Sequence, residues 1–297
     1  MKQYADERVI HATSKSTSNI TRDHLLATLN LAFERDLDTT RLTQRDHFGP
    51  LRVQKPLYPE DPSICHAIVV HPPGGVVGGD ELQINARAGK HAHAFLSTPG
   101  AAKWYRAHGH VSRQRLTLEV ADQAIIEWMP QETILFNGAD IVLDTSIKLA
   151  GQASYIGCEI LCFGRTASGE KFDHGRIRQH LVIHRDGKPL WLEQGSLHGG
   201  SKQMASPLAL AGYTVCANLI AVGTIAPANV LQAIRSAIGD ASKGIGKFGA
   251  TQMKSVTIVR YLGNSSEIAR EVMLSAWKIC RPALTGHHAM VPRIWNT

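Results

Sequence analysis

Four carboxylates stand in surroundings that charge disfavours. Glu159 interrupts the run Tyr155-Ile156-Gly157-Cys158-Glu159-Ile160-Leu161-Cys162-Phe163, Glu193 lies two residues after Trp191, Glu127 directly precedes Trp128, and Asp80 closes the stretch His71-Pro72-Pro73-Gly74-Gly75-Val76-Val77-Gly78-Gly79-Asp80. On an extended strand Tyr155, Leu161 and Phe163 share the face of Glu159, while Ile156, Cys158, Ile160 and Cys162 share the other. A strand apolar on both faces is normally buried on both. A carboxylate there must pair, take up a proton or border water, because desolvating it alone costs several kcal/mol. Two chemistries follow. Each acid has a buried partner such as Arg165 or Arg178, or acids from separate strands line an internal wet passage for a cation.

The decapeptide ending in Asp80 is the second feature. Its two prolines remove backbone donors and cannot sit inside a paired strand. Its four glycines permit left-handed backbone angles. The stretch therefore reads as a corner between two strands, either a tight structural turn or a place where backbone comes close to another group, with Asp80 aimed by the turn.

Other motifs lack the context their chemistry needs. Gly244-Ile245-Gly246-Lys247-Phe248-Gly249 spells a dinucleotide fingerprint, but it follows a predicted helix and enters a predicted strand, the reverse of what phosphate binding requires. Among 15 histidines, His91-x-His93 and His108-x-His110 would each put two imidazoles on one strand face, although Gly109 weakens the second, and no H-E-x-x-H helix accompanies them. The five cysteines are odd in number and widely spaced, which points to buried free thiols in a reducing cytoplasm rather than a disulfide framework. No G-x-S-x-G elbow occurs. A metal-dependent hydrolase using His71 and Asp80 stays as an alternative, and it would hold its metal tightly.

The elements that must position these groups are mostly strands. Leu29, Leu31 and Phe33 alternate with polar or small residues, as do Leu116, Leu118 and Val120, and Ile141, Leu143, Ile147 and Leu149. Asp186-Gly187 between two strand-like runs predicts a hairpin with a type I′ turn. Strands at such short intervals over about 190 residues, without helical periodicity, predict a mainly β fold of stacked sheets or a β-solenoid. Two helices follow, over Asn229 to Ile238 and Ser265 to Ile279, with one strand at Val256-Thr257-Ile258-Val259 between them. The expected organisation is a flexible tail over 1–27 and a single domain over 28–297, β-rich over 28–225 and helix-strand-helix over 226–297. The polar N-terminus lacks the apolar core of a signal peptide. No charge occurs from Gln203 to Ile234, but Pro207, Gly212, Asn218, Gly223 and Pro227 break that segment, and Tyr213 to Val222 suits a buried strand better than a membrane span. At 297 residues, 43% apolar and 19% charged, the chain is an ordinary globular protein. Its net charge of +7 could attract an acidic surface, yet scattered basic residues and 6% aromatics argue against nucleic acid.

The pattern H-P-P-G-G-x-x-G-G-D resembles that of the urease accessory proteins of the UreD type, called UreH in some organisms. Gly49-Pro50-Leu51-Arg52-Val53-Gln54-Lys55-Pro56 with Tyr58-Pro59, Thr98-Pro99-Gly100-Ala101 with Lys103, Tyr105 and Arg106, Glu127-Trp128-Met129-Pro130-Gln131-Glu132, Arg281-Pro282 and Pro292-Arg293-Ile294-Trp295 extend the resemblance from about residue 28 to the last residue. It implies a non-enzymatic cytoplasmic β scaffold with two C-terminal helices. Such a scaffold binds apo-urease with UreF and the GTPase UreG in a hetero-oligomer and helps deliver Ni²⁺ to the urease active site. It implies no catalytic residues, no tightly bound cofactor and no tight metal site, only transient Ni²⁺. By motif, the acidic lining of an internal channel corresponds to Asp80, Glu159 and Glu193; Glu stands at 159 where Asp is also expected, so charge rather than reach carries over. A third reading is a docking module without ion passage, with Arg293 and Trp295 as interface anchors, since Arg and Trp are enriched at interface hot spots.

Overall fold

The computed structural model describes residues 25–223 and 228–296. In chain order the strands are β1 (Leu26–Asp36), β2 (Thr39–Phe48), β3 (Arg52–Val53), β4 (Ile64–Val70), β5 (Glu81–Ala88), β6 (His93–Ser97), β7 (Ala102–Trp104), β8 (Ser112–Val120) and β9 (Ile125–Met129). Next come β10 (Thr133–Leu135), β11 (Asp140–Leu149), β12 (Ser154–Phe163), β13 (Arg176–Arg185), β14 (Lys188–His198), β15 (Val215–Val222), β16 (Lys247–Met253) and β17 (Val256–Gly263). The helices are α1 (Lys202–Ala205), α2 (Ala228–Ser242) and α3 (Ser266–Thr285).

The chain winds between two sheets. It passes from β4 to β5, β6 to β8, β9 to β11 and β12 to β13, so that β5, β8, β11 and β13 run parallel in a seven-stranded sheet and β4, β6, β9 and β12 run parallel in a ten-stranded one. A parallel pair needs a long crossover, and here each crossover is a strand of the opposite sheet, which makes four solenoid coils. Residues in register therefore stack. Ala86, Leu118, Ile147 and Ile183 are neighbours across β5, β8, β11 and β13, all buried between the sheets. One position along, Arg87, Glu119 and Lys148 face outward, and Lys148 pairs with Glu119 at 3.0 Å.

Antiparallel strands finish each sheet. β13 and β14 form the hairpin expected at Asp186-Gly187, whose φ values of 50° and 75° are those a type I′ turn demands. The run Tyr213 to Val222 contributes β15, and no helix among the described residues is long and apolar enough to cross a membrane. Between the two longer helices lie two strands rather than one. The extra strand, β16, is a polar, largely exposed edge strand with Gly249 in it, so neither alternation nor apolar content marks it in the sequence. β15 pairs with both β12 and β17, which fuses the C-terminal part to the solenoid. The tail expected over 1–27 lies outside the described residues except for its last three, and β1 already begins at Leu26; the boundary expected at 225 also falls outside them.

The two faces of β12 explain why it is apolar throughout. Tyr155, Leu161 and Phe163 enter the core between the sheets, and Ile156, Cys158, Ile160 and Cys162 enter a second core beneath α2 and α3. Helix α3 starts where the Ser265 hydroxyl accepts from the Ile268 N–H at 3.2 Å and ends at Gly286, φ 75°. It covers a charge. Glu127, in register between Phe95 and Ile156 on the helix-facing side of the sheet, is 0% exposed. Its carboxylate accepts from Trp277 Nε1 at 2.7 Å and Arg281 Nε at 2.9 Å, and His93 Nε2 lies at 2.8 Å. Arg281, also 0% exposed, reaches on to Glu60 at 2.6 and 3.0 Å, and Glu60 meets His66 at 2.7 Å. Burial alone would raise Glu127, but the His93 contact, the charges of His93 and Arg281 and the Trp277 N–H hold its carboxyl below the usual range.

Removing Arg281 leaves two buried carboxylates without their cation. Arg281→Met is expected to destabilise the fold by about 3–5 kcal/mol, and adding Glu127→Gln to cost less than the sum of the two single changes. Urea unfolding followed by tryptophan fluorescence measures both.

Candidate functional site

A cavity of about 770 Å³ lies between the sheets. Its walls come from the ends of the strands that carry the glycine corner, from the loop around Thr98 to Lys103, and from the last coil with its hairpin. Exposed residues occur on two sides of its lining, Gly74, Gly100 and Lys103 on one and Leu192, Gln194 and Gly195 on the other.

Strand register assembles the polar wall. Glu159 of β12 lies beside Asn218 of β15, which lies beside Arg260 of β17, giving a row of three polar side chains across one sheet. The opposite sheet supplies Gln179 of β13 and Glu193 of β14. Two contacts cross between the sheets: Gln179 Nε2 donates to Glu159 at 2.6 Å, and Arg260 donates to Glu193. Glu159 thus has a neutral partner and, among the described residues, no cation. Burial, with the charge of Glu193 adding to it against the Gln179 hydrogen bond, pushes its carboxyl up to about 7. Its remaining exposure is to the cavity, so it borders water. A carboxyl poised near neutrality in a wet cavity can lose its proton as a cation arrives.

The glycine corner forms another wall through His71, Gly74 and Gly75. Val76 donates to the Lys103 carbonyl at 2.8 Å and accepts from Tyr105 N–H at 2.9 Å, so the corner lies flat against the 103–107 segment. A Cβ on Gly75 would stand 2.2 Å from the Tyr105 ring, and one on Gly78 2.0 Å from the Ala107 carbonyl oxygen. Close approach of backbone is therefore what those glycines provide. Pro72 and Pro73 are exposed on the outer bend, and Gly79 has φ 94°.

Asp80 does not join the other two acids. Its carboxylate accepts from the Val77 N–H at 3.0 Å and the Leu25 N–H at 3.3 Å, tying the corner to the start of β1, and it is absent from the cavity wall. His71 and Asp80 form no hydrogen-bonded pair: His71 Nε2 is buried with no partner among the described residues, and burial, opposed by the Asp80 charge, lowers its pKa. The expected alternatives Arg165 and Arg178 pair with Glu170 and Asp140 instead, while the cations met by Glu127 and Glu193 are Arg281 and Arg260. Gln179, Asn218 and Arg260 were not anticipated. Asn218 did carry a signal, a polar residue among Ala217, Leu219 and Ile220 in a buried strand.

The remaining candidates separate. His91, at φ 60° in a turn, is exposed, whereas His93 is enclosed with Glu127, so they share no ligand set. Among the described residues no three His, Cys, Asp or Glu side chains lie close enough together to hold a metal ion. The cysteines are free, and burial pushes the thiols of Cys158 and Cys162 up to about 12. Trp295 packs on the chain's own second core and donates to Ser97 Oγ at 2.8 Å, so it is an internal anchor; Arg293 beside it is exposed.

Fold and site together define a class, a two-sheet β-solenoid scaffold with C-terminal helices packed on the outer face of one sheet and, between the sheets, a cavity with a carboxylate wall. The model of the UreD urease accessory protein family matches residues 26–296, so the chain belongs to that family. It is 55% identical over its full length to the whole urease accessory protein UreD of Janthinobacterium sp. (strain Marseille). It is 49% identical to that of Nitrosospira multiformis, over 92% of this chain and 98% of the relative. A third relative of the same name, from Azoarcus sp. (strain BH72), is 41% identical over the whole of both chains.

The folded value of Glu159 stands above its ordinary one. The stability gained by holding that proton is complete below about 4.5 and lost as pH rises to about 7. Glu159→Gln, which keeps the Gln179 contact without the charge, should match the parent at pH 4.5 and exceed it by roughly 1–3 kcal/mol at pH 8. Denaturant midpoints across that range give the test.

Proposed function

We propose that this chain is a scaffold of urease maturation that binds apo-urease together with UreF and the GTPase UreG, and that hydrated Ni²⁺ passes along its internal cavity toward the urease active site. The observation that carries this reading is Glu159, a carboxylate without a cationic partner among the described residues that faces an internal cavity. A hexahydrated ion needs roughly 180 Å³ at about 30 Å³ per water, well within the cavity's volume of about 770 Å³. Oxygen ligands that leave the ion its water hold it loosely, as transit requires. At Glu159 the ion's charge would displace the proton. At Glu193 it would compete with the tethered guanidinium of Arg260. Asp80 serves the corner's geometry in this reading, so the informative variants are those at 159 and 193.

Glu159→Gln with Glu193→Gln is expected to leave capture of apo-urease, UreF and UreG unchanged while lowering the nickel bound per co-expressed urease severalfold. Pull-down and elemental analysis of the same preparations check it. Normal nickel content in the double variant would sink the passage.

One observation favours docking without passage: Leu192 is 60% exposed at the cavity rim, next to Glu193. An exposed apolar side chain beside a mouth suits a partner's seat. Under that reading Leu192→Asp abolishes partner capture, and the double carboxylate variant loads nickel normally.

A further inference from the structure

On the outer side of the glycine corner lies a second hollow of about 390 Å³. Val77 and Gly78 form one wall, Tyr105 and Phe136 another, and Arg106 and Arg165 supply its charge. Phe136 meets Tyr105 edge-on at 4.7 Å, and the Arg165 guanidinium lies 4.3 Å over the Phe136 ring. The hollow already accommodates a carboxylate. Glu170 accepts from Arg165 Nε at 2.7 Å, and that hydrogen bond leads in holding its carboxyl below the usual range. Arg106 lines the same hollow, is exposed, and has no acidic partner among the described residues. Two guanidinium groups against one carboxylate leave a positive charge unmatched in a concave, aromatic-walled site. A guanidinium in such a place favours a carboxylate, which it can bind through two parallel N–H bonds.

We propose that this hollow is the docking site for an acidic side chain of a partner protein, its carboxylate paired with Arg106 and the flanking residues resting on Tyr105 and Phe136. The assignment stands apart from the ion passage. The two sites are nevertheless close, because the Tyr105 ring that walls the hollow packs on Gly75, which lines the internal cavity.

The probe is a fluorescent oligoglutamate peptide, titrated into the full-length chain at low salt and followed by anisotropy. Oligoglutamate is expected to bind and oligoglutamine not to. Arg106→Glu should weaken oligoglutamate at least about tenfold, a difference of about 1.4 kcal/mol, and Arg106→Lys should retain part of the affinity. Lys247→Glu, the same charge change on exposed β16, should leave affinity within about twofold of the parent, and unchanged unfolding midpoints establish that each variant is folded. Absence of oligoglutamate binding to the parent chain would overturn the proposal. So would equal weakening by Arg106→Glu and Lys247→Glu, because overall charge would then account for the binding.

Discussion

The fold depends on a charge that has no access to water. Glu127 lies on the helix-facing side of the ten-stranded sheet, and only groups from elsewhere in the chain can balance it. Arg281 and Trp277 of α3 do so from 154 and 150 residues away, and His93 from the neighbouring strand. Arg281 then draws in Glu60 and, through it, His66, so the docking of the last helix and the order of the loop before β4 are one electrostatic event. Truncating Arg281 strands buried carboxylates on the sheet side, which ties the stability of the helical layer to that of the solenoid.

Glu159 is the contrast that gives the site its meaning. Both carboxylates sit in apolar strands of the same sheet, Glu127 facing the helices and Glu159 facing the other sheet. The first is met by a cation and is held ionised; the second hydrogen-bonds to the neutral Gln179 and is pushed toward neutrality. Desolvation acts on both in the same direction. What differs is the partner, and a side chain left with a neutral partner beside water keeps a charge that it can exchange.

How much of this was legible in the sequence follows from the range of each interaction. The two-faced burial of β12 was readable because alternation is local, and so was the Asp186-Gly187 turn, where two residues fix the backbone. The need of Glu159, Glu193 and Glu127 for a partner was readable for the same reason. The identity of those partners was not: Arg260 lies 67 residues from Glu193 and Arg281 154 from Glu127, and the antiparallel strands and the helix that complete the fold, not spacing, bring them together. The role of Asp80 was not legible, because an acid after a glycine turn can aim outward or fold back on the turn's own N–H groups, and here it does the second. Trp295 could be read as a partner anchor or as part of a tail packed on its own domain, because nothing near it in sequence reveals Phe95 and Trp277, the rings it packs against.

The cavity itself is a consequence of solenoid register. At one end of the strands the stacked row Ala86, Leu118, Ile147 and Ile183 is wholly apolar and packs shut. Four positions back, the corresponding row is Leu82, Gln114, Leu143 and Gln179, and all four line the cavity. Polar side chains that recur in alternate coils lose hydrogen bonds if they are buried against an apolar sheet, so they favour the open space that remains between the sheets there. Glu159, Asn218 and Arg260 continue that polarity across the opposite sheet. The same winding that seals the space between the sheets at one end of the strands thus leaves it open toward the other, where the acids lie.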